Sequence, residues 1–310
     1  MNKCLYCYEN LDKGDFHEKC SKKFFGKNFQ PELPYTLEDM ILLANKVIKT
    51  QTSVTGAQAK LSLNLEKIDK KDIPDRFTIV GLWGEYILKP PTKQYKNLPE
   101  LEGLTMKLAE ISKINTVKYS LIRLKDSNLA YITKRMDRIK NKKIHLEDMC
   151  QLSEKLTENK YIGSYEQIAK IIQKYSLNPF LDTLNFFEIV FFCFITGNSD
   201  MHLKNFSLIK NGLDYILSPA YDLVPSSLIV LEDKEELALT LNSKKRKISK
   251  KDFIIFANNI KLDKKSINNI FNKFIKLIPK YKEIIENSFI LEEYKKSYFD
   301  LILKRIALFY

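Results

Sequence analysis

The chain has 310 residues, of which 45% are hydrophobic and 12% are aromatic. A chain of this length and composition can bury a large core, which argues against a disordered or fibrous protein. The formal net charge is +13, but lysine is spread along the whole sequence, so the charge alone is weak support for nucleic-acid binding. The longest apolar run, Phe186 to Thr196, is interrupted by Glu188 and is too short to cross a bilayer. We therefore expect a soluble, cytoplasmic protein that does not bind a membrane.

Residues 1–34 form a head that is rich in cysteine and histidine. Two pairs of ligands, Cys-x2-Cys and His-x2-Cys, are separated by nine residues and consist of Cys4, Cys7, His17 and Cys20. Such pairs suit a closed, tetrahedral structural zinc site, so we predict a zinc module here. A metal-free small core, in which the thiols pack beside aromatic rings, is the alternative. The chain has five cysteines, and this odd number does not fit a disulfide framework.

Strand-like patterns dominate the next part of the chain. Leu61–Leu65 alternates between apolar and polar residues, and Tyr86–Lys89 and Leu129–Ile132 are short apolar runs. One helix, Glu100–Ile111, interrupts them, because its apolar residues recur at helical spacing. Residues 35–138 are therefore predicted to form a small antiparallel sheet with one packed helix.

From residue 140 onward the apolar period becomes helical. The predicted elements are helices over His145–Glu154, Tyr165–Tyr175 and Phe180–Thr196, a hairpin over Phe206–Leu217, and helices from Lys251 to the C-terminus. A strand-rich N-lobe at 35–138 is thus followed by a larger helical C-lobe at 139–310. This order predicts an α+β, two-lobed, protein-kinase-like fold behind the Cys/His module.

Three features of the predicted N-lobe suit the binding of ATP phosphates. Gly56 lies in the turn Ser53–Lys60, whose small residues allow backbone N–H groups to approach a phosphate. Lys89 ends a strand, where its ammonium can meet phosphate oxygens, and Glu102 lies on the following helix, where it can position that lysine. An ordinary turn, a solvated surface lysine and a solvated helix face are the alternatives.

The segment Gly197–Asn205 carries the sharpest pattern. Asn205 follows Asp200 by five positions, directly after a long apolar helix, which is the Asp-x4-Asn spacing of a kinase catalytic loop. Asp200 would accept the proton of an attacking hydroxyl, and Asn205 and Asp222 would offer oxygen atoms to magnesium. An Asx-rich turn and a capping aspartate are the alternatives. His202, in the same loop, either packs against the loop or contacts ATP.

These motifs resemble those of the HipA-like kinases, which are toxins of bacterial toxin–antitoxin modules, and within them the shorter HipT-type chains. The resemblance extends from Ser53 to Ser226, which is more than half of the chain. The motifs that carry it are Ser53–Gln58, Ile87–Lys89, Glu102–Met106, Lys134–Arg138, Glu147–Gln151, Asn198–Asn205 and Tyr221–Asp222.

The resemblance implies a Ser/Thr protein kinase that uses ATP and Mg²⁺, with Asp200 as its catalytic residue. Asn205 and Asp222 would hold the magnesium, and Glu102 would act at the ATP site through Lys89. The resemblance further implies ATP contacts from Thr55, Gly56, Ala57, Gln58, Lys60, Lys89, Lys134, Arg135, Met136, His202, Lys204, Asn205, Tyr221 and Asp222. It also implies autophosphorylation of Ser53 and Thr55.

The resemblance also suggests partners. The substrate would be a protein, of the aminoacyl-tRNA synthetase class. The N-terminal subdomain of long HipA chains is missing here, so a small separate antitoxin would supply it. A DNA-binding antitoxin would complete the complex, and the chain would contact DNA only indirectly, through that antitoxin. A nucleotide-binding regulatory subunit with little activity and a zinc-anchored nucleic-acid-binding protein are the competing functions. The intact set of Lys89, Asp200, Asn205 and Asp222 favours the kinase.

Overall fold

The computed structural model describes residues 2–50, 60–66, 74–80, 83–139 and 142–310. The predicted phosphate-loop residues Ser53, Thr55, Gly56, Ala57 and Gln58 lie outside the described residues. The chain divides into two compact units. Unit 1 consists of Met1–Leu104, Val117–Asn141 and Asn287–Phe289, and unit 2 consists of Thr105–Thr116, Lys142–Glu286 and Ile290–Tyr310. The boundaries predicted at residues 34 and 138 stay predictions.

A five-stranded antiparallel sheet forms the centre of unit 1. The elements of this part of the chain, in order, are β1 Asn2–Lys3, β2 Asn10–Leu11, α1 Glu18–Phe25, α2 Leu37–Thr50, β3 Leu61–Glu66, β4 Arg76–Val80, β5 Tyr86–Lys89, α3 Leu98–Ile111, β6 Tyr119–Arg123, β7 Leu129–Lys134 and β8 Arg138–Ile139. The strand order in the sheet is β4-β3-β5-β7-β6. This confirms the antiparallel sheet and the helix that the sequence predicted, and it makes β5 the central strand.

The register of β5 places apolar side chains of three neighbouring strands side by side on one face of the sheet. Leu88 pairs with Leu61 of β3 on one side and with Ile132 of β7 on the other, and all three side chains are buried. Phe24 and Phe25 of α1 belong to the same hydrophobic cluster. Burying a side chain of this size stabilises a fold by roughly 1.5–3 kcal/mol. The head therefore contributes to the core of the sheet.

The head also covers part of both edge strands of this sheet. The backbone of Glu32 pairs with β4 through Asp75 and Phe77, with N–O distances of 2.7 and 2.9 Å. At the other edge, the backbone N–H of Leu121 in β6 donates to the carbonyl of Leu5 at 3.4 Å. Exposed edge strands can pair with other chains. These contacts therefore satisfy backbone groups that the sheet alone leaves open.

Unit 2 is built mainly from helices. The elements from residue 142 onward are β9 Lys142–Lys143, β10 Leu146–Asp148, α4 Met149–Leu152, α5 Tyr165–Tyr175, α6 Pro179–Thr196, β11 Ser207–Asn211, β12 Asp214–Leu217, α7 Ser226–Ile229, α8 Lys250–Asn259, α9 Lys264–Asn287 and α10 Glu292–Ile306. The predicted hairpin and the predicted long helices are confirmed. The helix predicted over His145–Glu154 is wrong in its first half, because β10 pairs with β11 and Asp148 caps a helix that begins only at Met149.

Helix α6 is the core helix of unit 2. The ring of Phe191 lies 4.7–5.3 Å from the rings of four other phenylalanines, Phe253, Phe271, Phe274 and Phe309. Among the described residues, α6 is the one helix that is long and apolar enough to cross a membrane, and 67% of it is buried inside the fold. Burial of that extent is typical of the core helix of a folded protein. The packing of α6 therefore fixes the start of the loop that follows it.

Candidate active site and metal centre

A buried ion pair joins Lys89 and Glu102 in unit 1. Lys89 is the last residue of β5, and its Nζ lies 2.5 Å from Glu102 Oε1 on α3. The two residues are only 3% and 0% exposed. Their burial excludes the alternatives in which this lysine and this glutamate are solvated surface residues. The lysine ammonium also lies 5.3 Å from the ring centroid of Tyr131, within the range of a cation–π contact.

The other predicted ATP contacts of unit 1 lie on the strands beside this pair or at their ends. Lys60 is exposed and directly precedes β3. Lys134 ends β7, and its Nζ lies 5.7 Å from the ring centroid of Tyr86. Arg135 forms an ion pair with Asp137 at 2.8 Å. Met136 follows in the same turn. The roles of these residues toward ATP stay predictions.

The catalytic-loop candidate begins where α6 ends, at Gly197 in unit 2. This residue has a φ of +76°, and its carbonyl accepts hydrogen bonds from the backbone N–H of Ser227 at 3.0 Å and from its hydroxyl at 2.9 Å. The backbone N–H of Ser199 donates to Ser226 Oγ at 2.8 Å. Sequence reasoning missed these two serines of α7, since no local pattern links residues so far apart in the chain.

Within the loop, hydrogen bonds to the backbone of Asp200 fix its shape. The backbone N–H of His202 and the side-chain amide of Asn205 both donate to the Asp200 carbonyl, at 2.8 and 3.1 Å. The Asp200 N–H donates to Asn198 Oδ1 at 3.1 Å, so an Asx turn is present as well. The carboxylate of Asp200 accepts a hydrogen bond from the hydroxyl of Tyr161 at 2.6 Å. Sequence reasoning also missed Tyr161.

His202 is a buried and neutral member of this loop. It is 6% exposed, and the edge of its ring meets the ring of Tyr161 with centroids 4.9 Å apart. Burial lowers the pKa of His202 to about 4, so the imidazole is uncharged near neutral pH. Its Nδ1 is buried and has no hydrogen-bond partner in the part of the chain that the structure describes. Such an atom suits contact with a ligand.

Asp222 lies in a segment that hydrogen bonds tie to the catalytic loop. The hydroxyl of Tyr221 lies 2.6 Å from Ser207 Oγ and donates to the Lys204 carbonyl at 2.9 Å. Lys204 Nζ forms an ion pair with Asp148 at 2.7 Å. Asp222 itself has a φ of +55°. A non-glycine residue in that left-handed region is uncommon and tends to occur at functional sites.

The Cys/His residues of the head lie together, as the sequence predicted. Cys4, Cys7, His17 and Cys20 each offer one ligand atom, and these four atoms lie within 4.8 Å of one another. His17 turns Nδ1 toward the thiols, 3.4 Å from Cys7 Sγ, and its Nε2 lies 3.0 Å from the Asn10 carbonyl. A backbone partner for the second ring nitrogen is usual for a metal-binding histidine. A hydrogen bond from Cys7 lowers the pKa of Cys4 to about 4.

Comparison with known proteins agrees with this architecture. The sequence model of the HipA-like C-terminal domain matches residues 52–281. A candidate kinase of Haemophilus influenzae is 30% identical over 308 residues, which cover 90% of this chain and 86% of that protein. The candidate kinase Y4dM of Sinorhizobium fredii is also 30% identical, over 69% of this chain and 55% of its own length.

Two solved structures share the fold. One is the HipA of Shewanella oneidensis MR-1, solved in complex with HipB and operator DNA. It has a TM-score of 0.70 at 21% identity, over 88% of this chain and 70% of that one. The other is the proinflammatory kinase CtkA of Helicobacter pylori, with a TM-score of 0.53 at 17% identity, over 80% of this chain and 93% of that one. The family match and the 30% identical relative together show that the chain belongs to the HipA-like C-terminal domain family.

Proposed function

We propose that this chain is an ATP-dependent protein serine/threonine kinase and the toxin of a toxin–antitoxin system. Asp200 is the base in this proposal, Lys89 binds phosphate oxygens of ATP, and Asn205 and Asp222 hold magnesium. The observation that carries the proposal is the buried ion pair between Lys89 and Glu102, with its N–O distance of 2.5 Å.

A buried ion pair needs a reason beyond stability. Removing two charges from water costs several kcal/mol per ion, and apolar side chains of the same volume often stabilise a core equally well. The pair at Lys89 and Glu102 is almost fully buried at the end of the central strand. A lysine on a strand that a helical glutamate positions is the arrangement kinases use for the α- and β-phosphates. The geometry of this pair therefore supports a phosphate-binding role.

Asp200 has the surroundings that a catalytic base needs. In the proposed reaction, its carboxylate accepts the proton of a serine or threonine hydroxyl. The hydroxyl oxygen forms a bond to the γ-phosphorus, and the bond from that phosphorus to the bridging oxygen of ADP breaks. The Asp200 carbonyl accepts hydrogen bonds from the backbone N–H of His202 and from the side-chain amide of Asn205, and these bonds support the role because they hold the loop in one shape.

Asn205 and Asp222 have the chemistry that magnesium requires. Magnesium prefers oxygen ligands and, when bound, neutralises charge on the phosphates. The amide nitrogen of Asn205 donates to the Asp200 carbonyl, which leaves the amide oxygen as the atom for a cation. Asp222 supplies a carboxylate from a strained backbone position. The unpartnered Nδ1 of His202 supports a ligand beside them.

Replacing the magnesium ligands tests this site. We expect Asn205→Ala and Asp222→Ala each to weaken ATP binding at least about tenfold in the presence of magnesium, since each removes an oxygen ligand. Binding without magnesium should change little. Titration calorimetry with and without magnesium measures both quantities, and Asn211→Ala, on the exposed end of β11, is the control. Equal magnesium-dependent affinity in both variants and the wild type would contradict the assignment.

The remaining site predictions belong to the same proposal. Lys60, the segment Lys134–Met136, Lys204 and Tyr221 are proposed to line or support the nucleotide site, together with the loop residues Thr55, Gly56, Ala57 and Gln58. We also propose that Ser53 and Thr55 are autophosphorylated. Each phosphate would add roughly −1.5 to −2 charges beside the phosphates of ATP. Autophosphorylation would then oppose ATP binding and act as an off-switch.

The proposed partners follow from the family. The related HipA was solved with HipB and operator DNA, which supports an antitoxin partner here. We propose a DNA-binding antitoxin, a second, small antitoxin, and a protein substrate of the aminoacyl-tRNA synthetase class. A cytoplasmic location fits the five cysteines, none of which forms a disulfide.

We also propose one structural zinc ion in the head. Cys4, Cys7, His17 and Cys20 supply three sulfurs and one imidazole nitrogen, the donor set of a closed tetrahedral site. All four positions of the tetrahedron are then occupied by protein. The ion would stabilise the head and would take no part in phosphoryl transfer.

A further inference from the structure

Among the residues that the structure describes, Tyr161 makes the shortest hydrogen bond to the proposed base. Its Oη donates to Asp200 Oδ1 at 2.6 Å. Loss of solvent, and then the hydrogen bond to Asp200, raise the pKa of Tyr161. The phenol therefore stays protonated near neutral pH and remains a donor.

Backbone and ring contacts hold Tyr161 in this position. The Lys160 carbonyl accepts a hydrogen bond from the backbone N–H of Leu203 at 3.1 Å, which joins the segment to the catalytic loop. The Lys160 ammonium lies 5.0 Å from the centroid of the Tyr161 ring, and the centroid of the His202 ring lies 4.9 Å from it. The tyrosine is thus fixed relative to the loop that carries Asp200.

A carboxylate that acts as a base needs one defined orientation. A hydrogen bond to one oxygen stops rotation of the carboxylate and leaves the other oxygen for the acceptor hydroxyl. Correct orientation of reacting groups contributes strongly to catalysis, and small misplacements lower the rate. A hydrogen bond to a charged group is also stronger than one between neutral groups.

We propose that Tyr161 is a positioning residue for Asp200: its hydroxyl holds Oδ1, so that Oδ2 receives the proton of the acceptor hydroxyl. This inference rests on the proposed kinase function. Tyr161 does not receive the phosphoryl group, and it does not block the acceptor. It acts only through the orientation of Asp200.

The chain offers a matched control for Tyr161. Tyr175 is 46% exposed, compared with 41% for Tyr161, and it too follows a lysine whose ammonium lies over its ring, at 4.6 Å. Tyr175 ends α5, and no hydrogen bond from it to a carboxylate is found among the described residues. Tyr175→Phe therefore removes a similar hydroxyl without touching the site.

The test combines kinetics and spectroscopy on the full chain. With Mg-ATP and dephosphorylated casein as the acceptor probe, we expect Tyr161→Phe to lower kcat about tenfold or more and to leave the KM for ATP unchanged. Tyr175→Phe should match the wild type. In NMR spectra of protein with ¹³C-labelled tyrosine Cζ, the chemical shift of Tyr161 should change in Asp200→Asn, and that of Tyr175 should stay the same.

Other outcomes would overturn the inference. If Tyr161→Phe equals the wild type, the hydroxyl does not position the base. If it is faster, Tyr161 blocks the acceptor, and if phosphate is found on Tyr161, the tyrosine is itself an acceptor. A KM for ATP that rises together with the fall in kcat would indicate general structural damage. If the wild type phosphorylates no acceptor, the proposed function fails on its own, and the resonance of Tyr161 still decides whether the contact to Asp200 exists.

Discussion

At the junction of α6 and the catalytic loop, Gly197 combines a left-handed backbone with little free space for a side chain. Gly197 has a φ of +76°, and a Cβ atom there would lie 2.3 Å from Ser227 Oγ and 2.6 Å from Leu301 Cδ2. The residue therefore needs both the left-handed backbone and the absence of a side chain. The serine that fills this space is the one that donates to the Gly197 carbonyl. Ser227 thus both fills the space beside Gly197 and holds the start of the catalytic loop by a hydrogen bond.

Gly197→Ala should destabilise the fold and impair the site. The left-handed backbone alone costs an L-residue roughly 1–2 kcal/mol, and the contact with Ser227 adds to this. Gly212→Ala is the matched control, since Gly212 has a φ of +65° and nothing within 4 Å of its Cβ position. Chemical unfolding should show a larger loss of unfolding free energy for Gly197→Ala than for Gly212→Ala. Equal losses would contradict the role given to the space around Gly197.

The Cys/His head places the side chain of Tyr8 beside helix α3. Tyr8 directly follows the Cys4–Cys7 pair and has a φ of +71°. Its hydroxyl lies 3.1 Å from the position that a Cβ on Gly103 would take. Gly103 is the neighbour of Glu102 in α3. A metal that orders the head would therefore also support the helix that holds Glu102 against Lys89.

Purified protein should contain about one zinc ion per chain, and Cys4→Ser should lose it, because a closed site needs all four ligands. Cys150→Ser is the control, since Cys150 is a buried thiol of α4 outside the cluster. Elemental analysis of reduced, freshly purified protein measures the metal content. Finding no zinc in the wild type, or equal zinc in wild type and Cys4→Ser, would rule out the site.

At the scale of the whole molecule, the sequence predicted those features of the fold that depend on patterns of nearby residues. Apolar periodicity located α6 and the antiparallel sheet, and ligand spacing located the Cys/His cluster, because these features depend on neighbours in the chain. Prediction from the sequence failed where contacts between residues far apart in the chain determine the structure. The helical pattern after His145 gave way to pairing between β10 and β11. The contact of Tyr161 with Asp200 spans 39 positions, and no local signal marks it.

Phosphoryl transfer by the intact protein tests the central claim most directly. The wild type and Asp200→Asn are incubated with Mg-ATP, with and without dephosphorylated casein, and phosphosites are mapped by mass spectrometry beside a measurement of ATP affinity. We expect phosphate on serine or threonine in the wild type, first at Ser53 and Thr55, and none in Asp200→Asn, which keeps its affinity for ATP because the substitution removes only the base. Equal phosphorylation by Asp200→Asn, or a wild type that binds Mg-ATP and transfers no phosphate, would contradict the account.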